Sequence, residues 1–421
     1  MGRIMIESSS VCSELLSQCK QPSNTTSSIL SSQIKAQVRE FWENSPCDSW
    51  FTTDPCGTPA FYRSLDEHRY KVHRRLQLAV SFELTRGLRV LEIGCGCGSE
   101  AERFARSGAR YTALDLTQAA LTVTRKRFQL ASLEGRFVQG DAESLPFRDC
   151  SFEFVYSHGV LHHTPDTPRT IGEIHRVLSP GGRAVVMLYY RDSFNYHINL
   201  GIVRRLRARL LRTERGIKLA CALFEESEKN LRRQAELIRL DPHSYLEPQN
   251  LLNRNTDGPD NPLSQVFSKK SAECMFSQFK DVRTTVMFWN PHWLPGIGKL
   301  LPLTVEDWLA SHWGWHLWIY AQKSPIDSIG PKEIPHSEQR TVRRVLVYTK
   351  SWSAVLNARN SPIPRPASKI NGASVAGVAP AKLSSGREHN EHPGFIHIAT
   401  QPWDPLARRV EPEPNRPGIR S

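Results

Sequence analysis

Between Arg89 and Tyr190, short apolar runs alternate with segments whose apolar residues recur every three or four positions. "RVLEIG", "RYTALDL", "RFVQGD" and "RAVVMLYY" read as strands, and "FEFVYSHGVLHH" as a strand running into a loop. The intervening "SEAERFARSG" reads as a helix closed by Gly108, and "TQAALTVTRKRFQLASLEG" as one capped by Thr117 and ended at Gly135. "DTPRTIGEIHRVLSPGG" is a third helix, stopping before Pro180. Strands alternating with helices predict an α/β, Rossmann-like, doubly wound sheet with right-handed crossovers.

Outside this region the pattern changes. Ile34, Val38 and Phe41 fall at helical spacing, and Ser64 with Glu67 reads as the start of a second helix, so residues 34–86 are expected to form a helical cap. Residues 1–33 are rich in Ser, Thr and Gln without periodicity and are expected to be disordered. After Tyr190 the alternation gives way to a helical insertion over 199–245, with Ile202, Leu206 and Leu210 four apart and arginines between them. "DVRTTVMFW" and "GWHLWIYAQK" then predict two late strands, an antiparallel pair on one sheet edge that ends a domain spanning 87–323. In 324–421 prolines, serines and basic residues dominate, predicting a largely disordered tail.

Composition narrows the setting. The chain has 421 residues, a formal net charge of +13 and 28 prolines. That charge suits nucleic acid, an anionic membrane surface or an acidic substrate, but the basic tail supplies much of it. No nucleic-acid motif is present and the aromatic residues are not interleaved with basic ones, so nucleic acid is not the expected partner. No apolar run is long enough to span a bilayer, and "MGRIMIESSSVCSELLSQCKQ" lacks the apolar core of a secretory leader. The 9 scattered cysteines do not read as a disulfide framework; reduced thiols and a cytoplasmic location are the expectation.

Candidate chemistry concentrates in "RVLEIGCGCGSE". A dinucleotide fingerprint needs G-x-G-x-x-G, and Ser99 stands at its third glycine. A zinc site needs four ligands, and Cys95 and Cys97 have no second pair at matching spacing. The third reading is S-adenosylmethionine, which needs close backbone approach, allowed by Gly94, Gly96 and Gly98 around Cys95, and acids at successive strand ends. Glu92 would draw the ligand's ammonium group, Asp115 beside Leu116 its ribose hydroxyls, and Asp141 beside Ala142 its adenine amino group. Three acids at three carboxyl ends face one crevice, where open α/β sheets bind ligands.

"VLEIGCGCG", "ALDLTQAAL", "GDAESLPFRDCSFEFVYSHGVLHH" and "EIHRVLSPGG" resemble class I S-adenosylmethionine-dependent methyltransferases, in the branch similar to ubiquinone/menaquinone methyltransferases, the "methyltransferase 11" type. "REFWENSPC" and "NTDGPDNPLSQVFS" extend the likeness to about Lys323. The resemblance implies a seven-stranded sheet with an antiparallel last strand, and S-adenosyl-L-methionine as cofactor.

Methyl transfer from a sulfonium needs alignment and exclusion of water more than acid–base help. The loop after the fourth strand lies near the expected methyl position, so Ser157 is a candidate cofactor contact, and His158, His162 and His163 are candidate bases or acceptor-orienting groups. Phe41, Trp42 and Tyr70 are candidate lid residues; Tyr189, Tyr190 and Tyr196 are candidate walls of an acceptor pocket. The acceptor is expected to be a small molecule or a lipid- or quinone-like one, with peripheral membrane contact through the basic amphipathic helix near 202–212. The alternative is a non-catalytic protein that binds the cofactor or a related nucleoside on the same fold.

Overall fold

The computed structural model describes residues 25–44, 46, 49–224, 226–294 and 297–325. The expectations for residues 1–24 and for the tail from 326 onward lie outside them.

Strands β1 (Arg89–Ile93), β2 (Arg110–Asp115), β3 (Arg136–Gln139), β4 (Phe152–His158), β5 (Leu178–Tyr189), β6 (Lys280–Met287) and β7 (His316–Gln322) form one sheet. Its order is β3-β2-β1-β4-β5-β7-β6. The first five strands are parallel, while β7 lies antiparallel to both β5 and β6, with Ile319 opposite Val186 on one side and Thr284 on the other. The late strands therefore do form an edge pair, with the last one inserted between its partner and β5. The direction of winding reverses between β1 and β4, which opens a crevice at the carboxyl ends of these two strands.

Alternation along the strands divides the core. Leu91 and Ile93 pack with Leu114, Val155, Val186 and Ile319 on one face. Val90 packs with Ala113, Phe154, Tyr156, Val185 and Trp318 on the other. Both faces are covered, as a parallel sheet requires. Helices α3 (Ser99–Arg106), α4 (Gln118–Leu130) and α5 (Thr167–Val177) are the crossovers, and α4 begins where expected, with Thr117 accepting the Ala120 N–H.

The cap departs from expectation at both helix starts. Helix α1 runs Thr25–Asn44, nine residues ahead of the expected boundary at 34. Tertiary anchors hold it: Lys35 Nζ lies 2.6 Å from both Asp141 and Glu143, and Glu43 accepts the amides of Gln118 and Ala119 at 2.9 Å. Such docking overrides the poor intrinsic helicity of its Ser/Thr-rich start. Helix α2 is Pro59–Val72, not a helix opening at Ser64. Thr58 caps it by accepting the Phe61 N–H at 3.2 Å, and Pro59 supplies the preset first φ.

The insertion comprises a π-helical stretch, Asn195–Val203, then α6 (Arg204–Leu210), α7 (Glu214–Phe224), α8 (Glu228–Leu240), α9 (Pro242–Leu246) and α10 (Pro248–Thr256). It carries its own core, including Leu211, Ile217, Leu231, Ile238 and Tyr245. Ile202 and Leu206 are exposed, whereas Arg207 is buried against Glu226 and Gln234. Beyond it lie α11 (Lys269–Met275) and α12 (Leu303–Trp313). Cys56, Cys95, Cys97, Cys150 and Cys221 are free thiols, but Cys274 on α11 is disulfide-bonded, a departure from the all-thiol expectation.

Candidate active site

The loop joining β1 to α3 is built on three left-handed residues: Gly94 at φ +78°, Gly96 at +51° and Gly98 at +80°. A Cβ on Gly94 would lie 2.1 Å from Val160 Cγ2, and one on Gly98 2.9 Å from Thr124 Cγ2. Backbone bonds fix the curve: Gly94 N–H donates to Leu114 O at 2.7 Å and Gly98 N–H to Cys95 O at 2.9 Å. The two cysteines diverge. Cys95 Sγ lies 3.9 Å from Asp115 Oδ2, while Cys97 packs with Phe61, Tyr62, Leu65 and Val123.

The loop forms one wall of a cleft with an empty volume of ≈ 1050 Å³, its open mouth included. That suits a nucleoside-sized ligand. Gly94, Cys95, Gly96, Gly98, Asp115, Leu116, Asp141, Ala142, His158 and His163 all border it. Glu92, Ser157 and His162 do not come to the same wall. Glu92 is buried beneath the loop, where the Tyr111 hydroxyl donates to it at 2.5 Å, and burial pushes its carboxyl well above the usual range. Ser157 is buried and spends its hydroxyl on Ile93 O at 3.0 Å, tying β4 to β1.

Asp115 is the best-placed acid. Oδ1 accepts both the amide and the hydroxyl of Thr117, at 2.9 and 2.8 Å. Oδ2 takes a long contact from the Gly96 amide at 3.3 Å, which leaves lone-pair capacity on that oxygen for a diol. Burial raises its pKa, against the opposing effect of the Thr117 and Gly96 hydrogen bonds. Asp141 is more fully engaged: Oδ1 accepts the Glu143 amide at 2.9 Å and Oδ2 accepts Lys35 Nζ at 2.6 Å.

The three histidines separate sharply. His162 is fully buried, stacked on Tyr189 with ring centroids 3.6 Å apart, and both its nitrogens lack partners. Burial holds it neutral, with His163 adding to the effect. His163 donates from Nδ1 to Leu263 O at 2.5 Å, while Nε2 sits 3.4 Å from Asp257 Oδ2. Both nitrogens thus face protein acceptors on the segment after α10. His158 Nδ1 lies 2.7 Å from Arg69 Nη2. A guanidinium only donates, so Nδ1 accepts and the neutral ring carries its proton on Nε2. Burial, and then Arg69, hold the His158 pKa well below its ordinary value.

Four further residues at this cleft escaped the sequence reading: Lys35, Arg69, Glu100 and Glu143. Arg69 on α2 donates from Nε and Nη2 to the two oxygens of Glu100, at 2.7 and 2.6 Å. Glu100 follows the glycine loop directly, which is a local signal; the identity of its partner, thirty-one positions upstream, is not. Of the expected lid residues, Trp42 borders the cleft and rests edge-on against His163 at 5.4 Å, with Phe41 beside it. Tyr70 donates to Ser99 O at 3.1 Å. Tyr189 is not a wall of this cleft; its hydroxyl donates to Asp257 at 2.9 Å.

Residues 91–186 match the family described as "Methyltransferase domain". A phthiotriol/phenolphthiotriol dimycocerosates methyltransferase of Mycobacterium leprae is 46% identical over 98 residues, 23% of this chain and 36% of that protein. A fatty-acid O-methyltransferase of Mycolicibacterium smegmatis is 39% identical over 130 residues, 30% of this chain and 46% of that protein. The chain thus spans less than half the length of these curated relatives. Among solved structures, the magnesium protoporphyrin IX methyltransferase of Synechocystis PCC 6803 with bound S-adenosylhomocysteine aligns over 69% of this chain and 100% of its own, at 14% identity and a TM-score of 0.41. Residues 91–186 of this chain thus match the methyltransferase-domain family, on a sheet of order β3-β2-β1-β4-β5-β7-β6 with a glycine loop lining the cleft at its switch point.

Proposed function

We propose that this protein transfers a methyl group from S-adenosylmethionine to a lipid-like acceptor. One observation carries the reading: Asp115 closes β2 with one oxygen engaged by Thr117 and the other only by long contacts from Gly96 and Cys95, beside a loop that admits no side chain at Gly94 or Gly98. In this reading Asp115 holds the ribose hydroxyls and the Gly94–Gly98 backbone receives the methionine portion. Asp141 and Ala142 edge the adenine, with Lys35 sharing the Asp141 charge. The bound cofactor supplies an already activated methyl group; the chain's own work is to align it and exclude water. Helix α1, which lines the cleft with Lys35, Val38 and Trp42, serves that exclusion.

The lipid-like class is supported by the relatives named for lipid and fatty-acid methylation, and by the outward Ile202 and Leu206 beside Arg205 and Arg209, a face suited to a lipid surface. Titration of the full chain with S-adenosylhomocysteine tests the cofactor site. Micromolar binding, weakened at least a hundredfold in Asp115→Ala, is expected; an unchanged affinity removes the reading. Transfer of labelled methyl to the lipid fraction of a cell extract tests the reaction, and sustained absence of transfer by a cofactor-binding protein favours the non-catalytic alternative.

A further inference from the structure

A second, smaller cavity adjoins the cofactor cleft, and His158 borders both. It lies between the end of α2, the end of β6, α12 and the start of β7, with an empty volume of ≈ 400 Å³, its open side included. β6 runs parallel to β4 and β7 runs against them, so Met287 and His316 stand at the same sheet edge as His158. The chamber therefore lies on the side where the acceptor must meet the cofactor.

Its walls are largely aromatic, with the ion-paired Arg74, Arg75 and Asp307 also lining it. Phe288 stacks on His316 at 4.4 Å, His316 on His73 at 5.3 Å, and Trp318 on His158 at 5.2 Å. Three nitrogens of the lining are shut from solvent without any hydrogen-bond partner: His158 Nε2, Trp289 Nε1 and His73 Nδ1. Trp289 is 7% exposed. An indole nitrogen only donates, and the Arg69 contact makes His158 Nε2 a donor too. Buried donors left unmade are costly, and a ligand oxygen relieves that cost.

We propose that this chamber is the acceptor site, that it takes a planar aromatic or enolic head group, and that His158 Nε2–H and Trp289 Nε1–H bind its oxygen. The proposal rests on the methyl-transfer reading above. His158 is then an oxyanion-stabilising donor, not a base: its basic lone pair on Nδ1 is already taken by Arg69, itself fixed by Glu100. The acceptor enters as its oxyanion, its proton already lost to water. The oxygen–methyl bond forms as the sulfur–methyl bond breaks, and the electron pair of the latter leaves on the sulfide of S-adenosylhomocysteine. The stacked flat walls favour a ring over an acyl chain, which would have to extend outside.

The test uses the full chain saturated with S-adenosylhomocysteine and titrated with 2-naphthol, with decanoate as the aliphatic probe. Glutamine places an amide N–H where Nε2–H lies, so wild type and His158→Gln are expected to bind 2-naphthol within threefold of each other. His158→Phe and Trp289→Phe should bind it at least tenfold more weakly, with S-adenosylhomocysteine affinity kept within threefold in Trp289→Phe, whose side chain lies outside the cofactor cleft. Trp289 lies outside the cofactor cleft, so its variant reports even where His158→Phe fails to fold. Wild-type affinity for 2-naphthol should rise smoothly with pH between about 5.5 and 7.5, as the small oxyanion fraction does, with no histidine inflection superposed. Equal binding by Trp289→Phe, stronger binding of decanoate than of 2-naphthol, or a histidine-like inflection in that range overturns the proposal. Failure of wild type to bind S-adenosylhomocysteine strikes the cofactor reading instead.

Discussion

Acidification should unfold this protein through the histidines of the aromatic chamber. His316 is buried, stacked between Phe288 and His73, and faces the Arg69 guanidinium as well as His73 and His158. Burial, with Arg69 second, pushes its pKa down to about 3 from the ordinary 6.5. Between those values the unfolded chain binds the proton and the folded chain does not, so stability is complete above about pH 6.5 and falls as pH drops toward 3. At pH 5 the unfolded imidazole is almost wholly protonated and the folded one almost wholly neutral, a loss of about 2 kcal/mol relative to pH 7. His73 and His158 are displaced in the same direction, so the whole protein should lose more than this. His316→Phe keeps a flat ring in the stack and removes the titration. Urea unfolding of both proteins at pH 7 and pH 5 gives four free energies. The drop from pH 7 to pH 5 should be smaller in the variant by about 2 kcal/mol, and somewhat more if relief of His316 also lets its neighbours titrate nearer their ordinary range. Equal drops would show that His316 is protonated or solvated in the folded protein, and the neutral chamber would have to be given up.

Three other perturbations test the frame around the cleft. Gly94→Ala combines a left-handed φ, costing about 1–2 kcal/mol, with an overlap on Val160 costing about 1–3 kcal/mol; it should lower the melting temperature and weaken S-adenosylhomocysteine binding at least tenfold. Adding Val160→Ala should recover only the overlap, and a Gly94→Ala protein that melts and binds like wild type would mean the loop is not fixed as described. Arg127→Met leaves Asp66 and Glu102 without the buried cation that joins α2, α3 and α4, and should cost about 3 kcal/mol in urea unfolding; a loss under about 1 kcal/mol contradicts that role. Lys35→Met should speed amide exchange across Thr25–Asn44 while leaving the strands protected, and unchanged exchange there would mean that Glu43 and Trp42 suffice to hold α1.

The strands and crossovers were legible because their periodicity is local: each strand repeats every two residues or is buried outright, each helix every three or four. Thr117 could be read as a cap for the same reason, its partner Ala120 lying three residues on. Asp115 could be read because strand ends and glycine loops are sequence features. The early start of α1 could not, since what holds Thr25–Asn44 is Asp141, Glu143 and the first turn of α4, all distant in sequence. His162 and His163 show the limit most plainly. They are neighbours of identical chemistry, yet one is stacked inert on Tyr189 and the other is bound to Leu263 and faces Asp257 across a loop some hundred residues away.

Arg69 explains how the two cavities come to share one wall. Its guanidinium is anchored by both oxygens of Glu100, at the start of the helix that leaves the glycine loop, and reaches His158 at the end of β4. Cap, cofactor loop and chamber thus meet at a single buried cation. That cation depresses the pKa of His158 and His316, after burial itself, and adds to burial and His316 in depressing that of His73. Neutral imidazoles stack on Phe288 and Trp318 without the desolvation cost that imidazolium would carry there. Replacing Arg69 by an apolar residue would therefore do two separable things: leave Glu100 as an unpaired carboxylate beside the glycine loop, and free His158 Nδ1 to exchange tautomers. Glu100→Gln instead removes that carboxylate while keeping the Arg69 guanidinium as a donor to His158 Nδ1, so a comparison of Arg69→Met with Glu100→Gln distinguishes damage to cofactor binding from loss of the His158 Nε2–H donor in the chamber. Should both variants impair S-adenosylhomocysteine binding equally and leave 2-naphthol binding untouched, Arg69 would be a brace for the cofactor loop and nothing more.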